Sequence, residues 1–221
     1  MKVVVVYSGG LDSTVLLYHL RDQGHEVQAL SVDYGQRHRR ELDAAGAICS
    51  QLGVPHGLAD LSSLRPVFAG LALTSKAGAI PRGPYSPSSM QATTVPNRNM
   101  LLIAVALAWA VREKLDAVAY AAHAGVSTTY PDCTPAFAEA MAGAAHVCDW
   151  RPLEVLAPFI TWKKADIVRR GAELNVPFTQ TWSCYGGGDQ HCGECGTCHE
   201  RRAAFALAGV VDSTEYRGET P

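Results

Sequence analysis

Val3-Val4-Val5-Val6-Tyr7 runs without a break into Ser8-Gly9-Gly10-Leu11-Asp12-Ser13-Thr14, and no other stretch constrains the fold as strongly. An unbroken run of β-branched and aromatic residues reads as a strand buried on both faces. The two glycines let the backbone turn sharply and come close to a ligand. Helix-spaced residues follow, so the turn sits at a helix start, where free N–H groups and the positive dipole end attract an anion. Hydroxyls of Ser8, Ser13 and Thr14 add donors. A strand, a small-residue turn and a helix in this order predict a phosphate site.

The loop lacks the lysine of G-x-x-x-x-G-K-[ST] and is shorter than G-x-G-x-x-G. It resembles the S-G-G-x-D-S pyrophosphate loop of the N-type ATP pyrophosphatases, which cut ATP between the α and β phosphates to form adenylates. That resemblance implies ATP as cofactor and nucleotide contacts along Tyr7, Ser8, Gly9, Gly10, Leu11, Asp12, Ser13, Thr14, Val15, Leu16 and Leu17.

Strand and helix signals alternate along the chain. Val3–Tyr7, Val27–Val32, Gly57–Asp60, Ala117–Ala122 and Arg151–Leu156 read as strands. Ser13–Gln23, Arg39–Leu52, Asn99–Leu115, Thr134–Cys148 and Lys163–Leu174 read as helices. Leu73–Pro96 breaks the pattern with Pro81, Pro84, Pro87 and Pro96, and a loop of that length is usually functional or mobile. The alternation predicts an α/β fold: a doubly wound parallel sheet with helices on both faces. Such sheets bind ligands at the carboxyl ends of their strands, where the first loop lies. We expect one α/β domain over residues 1–180 and, over 181–221, a zinc-binding segment with a C-terminal helix packed on it.

The 221 residues carry a net charge of −2, so the overall charge gives no case for nucleic-acid binding. The apolar run Met100–Val111 is too short to span a bilayer, and its alanines with Trp109 suggest a buried helix. With no signal-peptide pattern at the N-terminus, the expectation is a cytoplasmic protein without membrane partners.

Seven cysteines are present, and four crowd into Cys184-x7-Cys192-x2-Cys195-x2-Cys198. Glycines between them supply tight turns, and four thiolates suit a closed tetrahedral zinc site. Spacing alone does not exclude an iron–sulfur cluster, which needs the same thiolates. His191 and His199 are not required, because four cysteines complete the shell. Cys49, Cys133 and Cys148 are read as ordinary reduced thiols.

Five motifs in order resemble the 7-cyano-7-deazaguanine synthase family: Ser8–Thr14, Val32-Asp33-Tyr34-Gly35-Gln36-Arg37-His38, Val95-Pro96-Asn97-Arg98-Asn99, Tyr130-Pro131-Asp132-Cys133, and Thr181-Trp182-Ser183-Cys184-Tyr185 with its cysteine cage. The resemblance implies the adenine nucleotide alpha-hydrolase-like form of the fold. It implies conversion of 7-carboxy-7-deazaguanine and ammonia to the nitrile through an adenylated acid and an amide, with ATP, Mg2+ and one structural Zn2+. It also implies a homodimer with small-molecule substrates only. On this reading Ser8, Asp12, Ser13, Arg98 and Asp132 are the catalytic candidates. Arg37, His38 and Arg98 would meet phosphate or carboxylate, since guanidinium matches both anions. Asp132 would accept hydrogens from the 2-amino and N1–H edge of the substrate.

Arg39, Arg40, Lys163 and Lys164 read as solvated helix starts. Two positions depart from the family pattern: Val126 stands where an acidic residue is expected, and Thr134 follows Cys133 where arginine is usual. Both fall in the expected substrate region. They admit an enzyme that stops at the amide or joins the carboxylate to another amine.

Overall fold

The computed structural model describes residues 1–37, 39–75, 78–124 and 130–218. The opening apolar run forms β1 (Lys2–Val6), in which Val3, Val4 and Val5 are fully buried. There follow α1 (Leu11–Asp22), β2 (Glu26–Asp33), α2 (Arg40–Leu52) and β3 (His56–Asp60). A 3-10 segment (Ser62–Phe68) leads to the short α3 (Pro87–Ala92) and the long α4 (Arg98–Glu113). The chain closes with β4 (Ala117–Ala119), α5 (Pro135–Val147), β5 (Glu154–Leu156), α6 (Lys164–Glu173) and α7 (Gly196–Ala208).

All five strands are parallel, in the order β3-β2-β1-β4-β5. Side chains alternate across a strand, so β1 feeds two cores. Val3 and Val5 pack with Val15, Ile48, Ile167 and Phe205, which belong to α1, α2, α6 and α7. Val4 packs on the other face with Ile103, Ala106 and Met141 of α4 and α5. This is the doubly wound sheet that the alternation predicts. The chain builds outward from β1 to β3 and then returns to the opposite side of β1. The loops leaving the carboxyl ends of β1 and β4 therefore diverge and open a crevice between them.

Three local differences from the expected elements have physical causes. Strand β4 stops at Ala119 rather than Ala122. The Tyr120 N–H still donates to the Leu156 carbonyl at 3.0 Å, but β5 ends there and the ladder has no further partner. The Leu73–Pro96 loop contains α3, started by Pro87 at its first position and by the Ser86 hydroxyl, which accepts from the Ser89 N–H at 3.2 Å. The third concerns Arg40, which is not merely solvated. It stacks over Trp182 at 4.7 Å and pairs with Asp189 at 2.8 Å, tying α2 to the cysteine-rich segment.

Helix α7 is joined to the α/β core. Ala204 and Phe205 are buried with β1 and α1. The fully buried Arg201 donates to Thr181 Oγ1 (2.9 Å), to Ser183 Oγ (3.3 Å) and to the Phe178 carbonyl (2.9 Å), fixing the chain before the cysteines. Among the described residues no helix is long and apolar enough to cross a membrane.

Candidate active site

The loop after β1 is held by its own hydroxyls. Ser8 Oγ and Ser13 Oγ lie 3.1 Å apart, and the Gly10 N–H donates to Ser8 Oγ at 3.2 Å. Thr14 Oγ1 donates to the Gly10 carbonyl at 2.8 Å and meets the Tyr7 hydroxyl at 3.2 Å. Gly9 takes φ +75°, and a Cβ there would sit 2.4 Å from the Glu41 carbonyl oxygen, so only glycine lets α2 press on the loop. Gly10 caps α1 without any side-chain hydrogen bond. The first N–H groups of α1 thus face the crevice without a side-chain cap, as an anion site requires.

Asp12, in the first turn of α1, faces Lys164 at 3.0 Å, with His123 Nε2 at 3.8 Å. Lys164 also contacts Glu200 Oε2 at 2.8 Å, which brings α6 and α7 to the loop. The expectation that Lys164 lies on a solvated face is therefore corrected: its side chain is 8% exposed because two carboxylates neutralise it in the interior. Burial by itself pushes the Asp12 carboxyl up, but Lys164 and His123 outweigh it and hold it below the usual range. Burial opposes the charge of Lys164 as well, and Asp12 and Glu200 raise its ammonium above the usual lysine range. Asp12 Oδ1 is buried with no hydrogen-bond partner among the described residues. An orphaned carboxylate oxygen beside an anion site suits a hard cation such as Mg2+.

The crevice is a cavity of about 670 Å³, the size expected of a small-molecule site. Aromatic side chains form much of its wall, among them Tyr34, Tyr85, Tyr130, Trp182 and Tyr185. Tyr85 stands edge-on to Tyr130, with ring centroids 6.4 Å apart, and its hydroxyl donates to Tyr185 at 3.3 Å. Such walls suit a flat heterocycle. Arg98 also lines the cavity. Burial opposes its charge, but Tyr34, Tyr185 and Asp132 outweigh that and raise it. Glu41 lines the wall beside the loop, and burial pushes its carboxyl up to about 7 against the pull of Arg98.

The structure gathers some sequence-predicted residues at the cavity and places others behind it. Tyr7, Ser8, Gly10, Leu11, Asp12, Ser13 and Arg98 line it. Val15, Leu16 and Leu17 are fully buried under the loop and support it from the core. Arg37 donates to the Gly78 carbonyl at 2.6 Å and is not among the residues of the cavity wall. His38 and Val126 lie outside the described residues. Asp132 Oδ2 accepts from the Asn99 N–H at 3.3 Å, and its carbonyl accepts from Asn99 Nδ2 at 3.1 Å, which pins the start of α4. Thr134 caps α5 by accepting from the Phe137 N–H at 3.3 Å.

Sequence reasoning missed Lys164, Glu200, Glu41 and the tyrosine wall. Asp12 and Lys164 are 152 positions apart, and no spacing rule joins them. Cys133, read as an ordinary thiol, lines the cavity, and burial pushes it up to about 12, away from thiolate character.

Behind the cavity, the sulfurs of Cys184, Cys192, Cys195 and Cys198 all lie within 4.8 Å of one another. Cys192 and Cys198 are 3.9 Å apart and Cys195 and Cys198 3.5 Å, close to the roughly 3.8 Å edge of a tetrahedron with 2.3 Å zinc–sulfur bonds. Backbone N–H groups of Gly186 and Cys192 donate to Cys184 Sγ at 3.2 Å, and the Cys195 N–H donates to Cys192 Sγ at 3.3 Å. Such donors stabilise thiolate charge, so the cluster could hold a metal ion such as zinc. His191 is not part of it: Nε2 accepts from the Ser183 N–H at 3.2 Å, and the ring stacks on Trp182.

The family model described as queuosine biosynthesis protein QueC matches residues 2–209. A curated relative named 7-cyano-7-deazaguanine synthase from Caldicellulosiruptor bescii is 47% identical over 219 residues, covering 99% of each chain. Relatives of the same name from Rhizobium meliloti (48% identity, covering 98% of this chain and 92% of its own) and Methanoregula boonei (44%, covering 98% and 99%) are similar over almost all of this chain. Among solved structures, NMN synthetase from Francisella tularensis aligns with a TM-score of 0.50 at 16% identity over 96% of this chain and 78% of its own. A predicted subunit of tRNA methyltransferase from Methanocaldococcus jannaschii aligns with a TM-score of 0.50 at 14% identity over 78% of this chain and 75% of its own. Those two likenesses are likenesses of fold.

Proposed function

This chain belongs to the QueC family of queuosine biosynthesis proteins, and from that premise we propose that it is an ATP-dependent ligase making 7-cyano-7-deazaguanine from 7-carboxy-7-deazaguanine and ammonia. One observation carries the reading most directly. The α1 N-terminus lacks a side-chain cap, stands at the switch point of the sheet, and opens into a cavity walled by tyrosines.

A carboxylate resists attack by ammonia because its leaving group would be oxide. Attack of the acid on the α-phosphorus of ATP replaces that leaving group with AMP and releases pyrophosphate. Ammonia then displaces AMP to give the amide and loses a proton. Activation of the amide oxygen in the same way lets AMP depart again, with a proton, and leaves the nitrile.

Each residue role follows from position. The N–H groups at the start of α1, with Ser8 and Ser13, would receive the departing pyrophosphate and stabilise its charge. Asp12 Oδ1 would hold Mg2+, which would supply charge neutralisation for the phosphates. Lys164 keeps Asp12 ionised for that task. Arg98 would pair with the substrate carboxylate or the α-phosphate, because its planar fork matches either anion. Cys184, Cys192, Cys195 and Cys198 would hold one zinc ion, which supplies folding energy where the chain lacks regular structure.

The test is to incubate purified protein with ATP, magnesium, ammonium and 7-carboxy-7-deazaguanine and to follow nucleotides and heterocycles by mass spectrometry. AMP that forms only with the acid present, together with the nitrile, is the expected result. Amide without nitrile would shorten the reaction to its first half, and absence of AMP would overturn the reading.

A further inference from the structure

A guanine-type ring presents two parallel hydrogen-bond donors on one edge, N1–H and the 2-amino group. A carboxylate is the side chain that offers two parallel acceptors and no donor. Among the described residues, three carboxylates line the cavity: Asp12, Glu41 and Glu200. Asp12 and Glu200 are both committed to Lys164, at 3.0 and 2.8 Å. Asp132 lies outside the cavity wall and accepts from the Asn99 N–H. The Glu41 side chain makes no hydrogen bond and no ion pair within 4.0 Å among the described residues, and Arg98 acts on it only from farther away. A carboxylate left unpartnered inside a cleft costs stability unless a ligand completes it.

Its position is fixed from behind. The Glu41 carbonyl presses against Gly9, so the first turn of α2 is locked to the loop where pyrophosphate would depart. Tyr34 stands within electrostatic reach of both Glu41 and Arg98, giving an aromatic face beside an acceptor and a guanidinium. We propose that Glu41 is the specificity-determining residue of the acid subsite, accepting N1–H and a 2-amino hydrogen of the deazaguanine ring, while Asp132 holds the start of α4. This assignment rests on the ligase reading and replaces the sequence expectation that Asp132 reads the ring edge.

The test compares equilibrium binding of 7-carboxy-7-deazaguanine with that of 7-carboxy-7-deazahypoxanthine, which lacks only the 2-amino group. The proteins are wild type, Glu41→Gln and Glu41→Asp, each loaded with metal. Wild type should prefer the amino compound by about 10- to 100-fold, the range of a hydrogen bond to a charged partner. Glu41→Gln turns one acceptor into a donor and should compress that preference below about threefold, with Glu41→Asp restoring part of it. A merely structural role would weaken both ligands alike. Unchanged preference in Glu41→Gln, or no preference in wild type, overturns the assignment. AMP formation in the same wild-type mixtures reads the activity separately. A protein that discriminates in binding yet forms no AMP would refute the ligase reading and still support the role of Glu41.

Discussion

Lys164 Nζ lies 3.0 Å from Asp12 Oδ2, although the two residues stand on different helices and 152 positions apart. The contact joins α6 to the first turn of α1, and Glu200 extends it to α7 and thus to the cysteine cage.

Replacing Lys164 by Met should leave two partly buried carboxylates without a cation. The expected loss is about 3–5 kcal/mol at neutral pH, measured by urea unfolding. The sign of the pH dependence follows from the shifts. Asp12 is held below its usual value, so its pairing stabilises above about pH 4 and is lost as pH falls through the folded value. Lys164 is held above its usual value, so its share is present below about pH 10 and is lost as pH rises through the folded value. The gap between wild type and Lys164→Met should therefore close below about pH 4.

Glu41 carries the opposite sign. Its carboxyl is raised from 4.5 to about 7, so the folded protein binds a proton the unfolded chain has released, and wild type loses stability as pH rises through that window. Glu41→Gln removes the cost of charging a half-buried carboxyl. It should be more stable than wild type at pH 8 by on the order of 1–3 kcal/mol. The advantage should shrink towards pH 4.5, as thermal scans across pH would record.

The two loop glycines should separate fold from function. Ala at position 9 would meet the Glu41 carbonyl oxygen at 2.4 Å with φ at +75°, so Gly9→Ala should lose about 3 kcal/mol or more. At Gly10 the nearest atom to a new Cβ is Ser8 Oγ at 3.1 Å, and φ is −75°. Gly10→Ala should fold within about 1 kcal/mol of wild type. It should nevertheless lose about 10- to 100-fold in AMP formation, because the new methyl group crowds the anion site. Denaturation curves and AMP assays on both variants distinguish the two outcomes.

The cysteine cage should bind one zinc per chain by elemental analysis. Stripping it with a strong chelator, or Cys195→Ser, should lower the unfolding temperature by about 10–20 °C, the equivalent of roughly 5 kcal/mol in a chain of this length. Unchanged melting after metal removal would count against a structural metal.

What could be read from the chain before its fold was known divides along physical lines. The strand into Ser8–Thr14 and the four clustered cysteines are local in sequence, so spacing alone placed them, and strand–helix alternation gave the doubly wound sheet. The cavity wall was not legible because it is assembled across long separations: Lys164 reaches Asp12, and Tyr85 reaches Tyr185 over 100 positions. Arg37 misled because a guanidinium next to a strand end can satisfy a loop carbonyl, here that of Gly78, as readily as a phosphate. Glu41 was not legible either, since nothing in a sequence tells which side of the first turn of α2 will press on Gly9.

The proposed reaction adenylates first the acid and then the amide made from it, both in the cavity at the end of β1. The most direct measurement uses 7-carboxy-7-deazaguanine labelled with 18O in both carboxylate oxygens, with ATP, magnesium and ammonium, and weighs the nucleotide product by mass spectrometry. Two AMP molecules should form for each nitrile, each carrying one labelled oxygen. Unlabelled AMP, or ADP in its place, would contradict the proposed reaction.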